Sequence, residues 1–100
     1  LTHITAMGEL AIKMVRESVN SFINNDEALA DEVIALDDQM DDLFIEVKTE
    51  LIELIKKDGN NGDQGIELMM VAKYLERIGD HAVNVAEWTK YNETGVHQKF

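Results

Sequence analysis

Apolar residues return every three or four positions in three separate runs. They are Ile4, Met7, Ala11, Met14 and Phe22; Leu29, Val33, Leu36, Met40, Leu43 and Val47; and Leu68, Val71, Leu75, Ile78, Ala82 and Val85. Alternating steps of three and four place each run on one side of an α-helix, whereas a strand requires a step of two, which no segment sustains. A chain patterned in this way folds as all-α. It also contains no proline, so nothing in it removes a backbone donor from a long helix.

The breaks between the runs set the organisation. Asn24-Asn25-Asp26 separates the first two helices, and Asn25 or Asp26 suits the cap of the second, because a short side-chain oxygen can accept from an unpaired backbone N–H. Asp58 to Gly65, with three glycines, reads as the second connection, and Lys56 and Lys57 stand just before it, where a helix C-terminus favours positive charge. The expected helices are residues 2–24, 27–57 and 66–91. Short connections make neighbours antiparallel, which gives an up-down-up three-helix bundle. Its expected core contains Val33, Leu36, Met40, Leu43, Leu75, Ile78 and Ala82. The bundle is assigned to residues 1–91, with 92–100 as a tail in which Gly95 is a helix stop or turn. The first helical pattern is already under way at the first residues and no Met opens the chain, which reads as a piece of something longer. A unit this small is expected to pair with another repeat or a second copy over a remaining apolar face.

Composition narrows the function. One hundred residues, 45% of them hydrophobic, support one modest domain rather than a disordered chain. Nine Lys and Arg against twenty Asp and Glu give a formal charge of -11, which repels a nucleic-acid backbone and an anionic membrane alike. No stretch approaches the roughly 20 apolar residues of a membrane span, and a cytoplasmic location fits best. With no cysteine, disulfides, thiolate metal sites and cysteine nucleophiles are excluded. Any metal must be held by oxygen or imidazole.

The acidic residues are not spread evenly. Glu76, Asp80 and Glu87 fall within an arc of about 40° on the third helix, next to its apolar seam. On the second helix the line Ala30, Ile34, Asp37, Asp41, Phe44, Leu51 and Ile55 places two aspartates one turn apart among apolar neighbours. Acid-x-x-x-acid thus occurs on both helices. Two such pairs supply the hard oxygen donors that suit Mg, Ca or Mn, and helical carboxylate sites also hold iron. The same spacing serves a solvated acidic face, and spacing alone leaves both readings open. Gly79, in mid-helix, costs about 1 kcal/mol relative to Ala and points to a close approach there.

Other residues carry less. His81 lies about 100° round the helix from Asp80 and reads as a surface or half-buried histidine. Arg77 suits an ion pair with Glu76 or Asp80, Trp88 and Tyr91 read as packing residues, and Met69-Met70 as core filler. The Asp58 loop fails as a calcium loop, because Met69 stands at the twelfth position where an acid is required. No nucleophile and base form a catalytic set. Dimetal oxidase chemistry would want Glu-x-x-His, whereas Gly79 follows Glu76 by three.

The stretch Ala72-Lys73-Tyr74-Leu75-Glu76-Arg77-Ile78-Gly79-Asp80-His81-Ala82-Val83-Asn84-Val85-Ala86-Glu87 resembles the signature helix of the PhoU family of phosphate-transport regulators. Asp37-Asp38-Gln39-Met40-Asp41-Asp42-Leu43-Phe44 is similar to that family's other acidic motif, with Phe44 where an aromatic is expected, and Tyr91-Asn92-Glu93-Thr94-Gly95 also fits. The resemblance covers essentially the whole chain and is greatest to the C-terminal of two three-helix repeats. It implies cytosolic, non-enzymatic negative control of phosphate uptake and phosphate-starvation signalling, through a phosphate ABC transporter's ATPase and a sensor histidine kinase. It further implies metal (Fe, Zn, Mn or Mg) at Asp37, Asp41, Glu76 and Asp80. Two alternatives share the fold, namely a cytosolic domain of a sodium-phosphate cotransporter and a metal-dependent enzyme.

Overall fold

The computed structural model describes residues 2–92. In order these form α1 (Thr2–Ile23), α2 (Glu27–Lys57), a single 3-10 turn (Gly59–Asn61) and α3 (Gly62–Tyr91), and no strand occurs among the described residues. Pairwise contacts fix the directions. His3, near the start of α1, reaches late α2, its two ring nitrogens each 2.7 Å from a carboxylate oxygen, of Glu46 and of Glu50. Lys90 at the end of α3 pairs with Asp31 at the start of α2 at 2.6 Å. The hydroxyls of Ser21 and Thr89, at the ends of α1 and α3, lie 3.1 Å apart in the interior. α1 and α3 therefore run together and α2 runs against them. The fold is the expected up-down-up bundle.

The first connection is built by its asparagines and aspartate. Asn25 takes φ 52, a left-handed conformation that asparagine tolerates. The Asn25 N–H then donates to Phe22 O at 3.3 Å and the Asp26 N–H to Ser21 O at 2.8 Å, which closes α1. Asp26 starts α2 by accepting from the Leu29 N–H at 3.0 Å.

The second connection is shorter than the glycine content suggests. Asp58 accepts from the Asn60 N–H at 3.0 Å, and Asn61 Nδ2 donates back to Leu54 O at 3.0 Å. Gly62 to Gly65 are already helical, so α3 begins four residues before the expected start at 66. Gly65 is buried against α2, where an added Cβ would lie 2.7 Å from Ile55 Cδ1. Its role is close helix packing rather than a turn.

Seven-residue lines organise the core. Met7, Met14 and Ser21 on α1, Val33, Met40 and Val47 on α2, and Gly65, Ala72, Gly79 and Ala86 on α3 are all buried. Such spacing keeps each seam facing its neighbours when helices cross at a shallow angle. α3 contributes small residues to its line, and long methionines fill the space they leave. At Gly79 a Cβ would sit 3.4 Å from Met40 Cε and 3.5 Å from Met14 Sδ, the close approach expected for a mid-helix glycine. Of the expected core, Val33, Met40 and Ala82 are fully enclosed, while Leu36, Leu43 and Leu75 pack half-buried at its rim. Ile78 is not core: it is 37% exposed, because Gly79 takes the inward position and turns its neighbour out by roughly 100°. Trp88, Tyr91 and Met70 are likewise exposed rather than packed within the bundle. The cap at Asn92 closes α3, its Nδ2 donating to Trp88 O at 2.9 Å; the remainder of the expected tail, with Gly95, lies outside the described residues.

Turned outward, Ile78 joins Ile12, Val15, Gly8, Ala11 and Leu75 along an open apolar groove of about 470 Å³ between α1 and α3. Among the described residues no helix is long and apolar enough to cross a membrane.

Candidate functional site

Asp37 stands seven residues after Ala30 and seven before Phe44, on the flank of the α2 seam. Phe44 meets Lys73 of α3, and the seven-residue spacing puts Asp37 on the same side of α2. Its Oδ1 is buried and makes no hydrogen bond. Burial raises its carboxyl above the usual 3.8, and the negative charges of Asp41, Asp80, Asp38 and Glu76 push it further in the same direction. The four carboxylates singled out in the sequence thus share one neighbourhood at the α2–α3 junction.

Within it they differ. Asp41 and Asp80 are exposed, and Glu76 is half-buried. Lys73 Nζ lies 3.2 Å from Glu76 Oε1 and 5.0 Å from the centre of the Phe44 ring, so the ammonium bridges the two helices. Among the described residues no three His, Asp or Glu side chains are gathered around a common point as metal ligands would be. The helices bring the donors together, and the side chains stop short of converging. In type the set fits a hard cation, since all four groups are carboxylates and one carries a buried oxygen with no partner.

Several neighbours stand elsewhere than expected. Arg77 lies over the Tyr74 ring, 5.7 Å from its centre, and leaves Glu76 to Lys73. His81 is exposed, and Glu87, two turns beyond Asp80, is exposed beside Ile34 and Lys90. Lys73 and Asp38 are the members of the patch that sequence reasoning missed. Lys73 was signalled by its place three residues before Glu76, a spacing at which helical side chains meet.

The raised Asp37 carboxyl has a measurable consequence. A carboxyl that holds its proton more tightly folded than unfolded opposes folding when ionised, and the opposition disappears as pH falls below its unfolded value. Asp37→Asn is expected to raise the metal-free melting temperature at neutral pH. The gap to the unaltered chain should narrow as pH falls through the carboxylate range, in melts followed by circular dichroism.

A family model, the PhoU domain, matches residues 4–89. Similar proteins include the phosphate-specific transport system accessory protein PhoU homolog of Xylella fastidiosa (strain 9a5c), 39% identical over 84 residues, covering 84% of this chain and 36% of that protein. The protein of the same name from Clostridium acetobutylicum is 35% identical over 89 residues, covering 89% of this chain and 41% of the other. That from Zymomonas mobilis is 35% identical over 92 residues, covering 92% and 39%. The chain spans well under half the length of these relatives. With a domain match over nearly all the bundle and the Glu76–Asp80 motif inside it, the chain belongs to the PhoU family.

Proposed function

We propose that the protein containing this chain is a non-enzymatic negative regulator of phosphate uptake and phosphate-starvation signalling. It works in the cytoplasm by contact with a phosphate ABC transporter's ATPase and a sensor histidine kinase, and a second PhoU unit or a homodimer partner covers the apolar groove between α1 and α3. The observation that carries this reading is the match of residues 4–89 to the PhoU domain. It is supported by relatives named as accessory proteins of a phosphate-specific transport system.

In the same reading Asp37, Asp41, Glu76 and Asp80 hold a divalent or trivalent metal ion. The orphaned Asp37 oxygen favours this over a merely solvated face, because a buried oxygen without a donor is costly unless something positive meets it. When bound, the ion supplies local positive potential on a chain of formal charge -11. The protein's own residues would hold it in the angle between α2 and α3, leaving the apolar groove on the other flank of α3 free for contacts.

Deletion of the gene tests the regulatory role. Phosphate-uptake and starvation genes should then be expressed even in phosphate-rich medium, as read by transcript levels. A deletion strain with normal phosphate control would contradict the proposal.

A further inference from the structure

Lys73 is the basic side chain that enters the acidic patch. Its ammonium rests on the face of Phe44 from α2, at 5.0 Å, and pairs along its own helix with Glu76 at 3.2 Å. The ring and the carboxylate together hold a positive charge at Glu76, one of the carboxylates whose negative charge reaches Asp37. Glu76 is thereby engaged by Lys73, in a patch whose four carboxylates do not converge.

Resting on the reading of these four residues as a metal-binding set, we infer that Lys73 is a built-in counter-ion that must release Glu76 before a metal ion can take it. The geometry suits an exchangeable role. The Lys73 side chain is 59% exposed, so its ammonium can swing back into water, and ion pairs of this exposure are weak. A long flexible stem bearing a well-hydrated point charge makes such a move easily, as a rigid guanidinium fork would not. An ion of charge two or more, meeting several carboxylates at once, outcompetes a single ammonium that meets one. Lys73 thus neutralises Glu76 until a cation strong enough to displace it arrives.

Mn²⁺ binding to the whole chain, read from the free-ion electron paramagnetic resonance signal, tests this. Lys73→Met keeps the packing stem and removes the charge. It should lower the Mn²⁺ dissociation constant about tenfold, the scale of one partly screened unit charge. Lys90→Met makes the same change in net charge at the far end of α3, where Lys90 pairs with Asp31, and should change affinity less than about twofold because the intervening distance exceeds the screening length. Without metal, Lys73→Met should melt below the unaltered chain, and with Mn²⁺ it should show the larger rise. Lys73→Gln, with helicity checked by circular dichroism, guards against a fault of one variant and should also bind more tightly. Unchanged or weaker binding by both Lys73 variants, with the unaltered chain binding Mn²⁺, overturns the role of Lys73 alone. Equal tightening by Lys90→Met also overturns it, by reducing the effect to net charge. Failure of every form to bind Mn²⁺ overturns the metal site and the counter-ion with it.

Discussion

Met40→Ala is expected to lower stability by about 2–5 kcal/mol, the range for truncating an enclosed methionine. Met40 is fully buried and faces the one mid-helix position of α3 that has no side chain to expand into the space. Its Cε stands 3.4 Å from where a Cβ on Gly79 would be, so no atom of α3 fills the gap when the thioether is lost. Met14, which meets the same point at 3.5 Å, is flexible enough to recover part of the contact, and this places the loss toward the lower end of the range. Single domains hold only about 5–15 kcal/mol in total, so even that end is a large fraction. Denaturant unfolding should show a lower midpoint with little change in slope. Met70→Ala provides the comparison: Met70 is 60% exposed and its loss should stay within about 0.5 kcal/mol.

The contrast between Met40 and Met70 also shows how the sequence can mislead. Steps of three and four identify the helices, and α2 was legible to its ends because Asp26 caps it and Lys56 and Lys57 close it. α3 was harder. Its bulky line Leu68, Val71, Leu75, Ile78 is a genuine helical stripe, but the innermost line is Gly65, Ala72, Gly79 and Ala86. Small residues carry little hydrophobic signal, although they are what lets three backbones approach. Reading bulk as burial therefore rotates the helix by one residue and puts Ile78 inside. Gly62 and Gly65 misled in the same way, since composition marks glycine as a breaker whereas Gly65 is occupied with Ile55. At the candidate site the spacing revealed which acids share a face. That Asp37 loses water while Asp41 keeps it depends on how deeply α2 and α3 embed, and the bridge from Lys73 to Phe44 crosses between helices. Neither is local in sequence.

The other large effect is the response to metal, where neutralising the patch should act in opposite directions with and without the ion. Without metal, burial raises the Asp37 carboxyl and the neighbouring negative charges, Asp80 and Glu76 among them, raise it further, so Glu76→Gln combined with Asp80→Asn should leave metal-free stability equal or higher. Loaded, an ion that binds only the folded chain adds about 2.7 kcal/mol at a hundred times its dissociation constant. For a domain of this size that is a rise on the order of 10 °C in melting temperature. The double variant should lose the rise altogether, whereas a solvated acidic face would give both proteins only the small response of general screening. The direct measurement is the melting temperature of the chelated chain and of the same chain reloaded with Mn, Fe or Zn, in parallel with the double variant. The account predicts a rise for the unaltered chain and none for the variant; an unaltered chain that melts at the same temperature with and without each metal would contradict it.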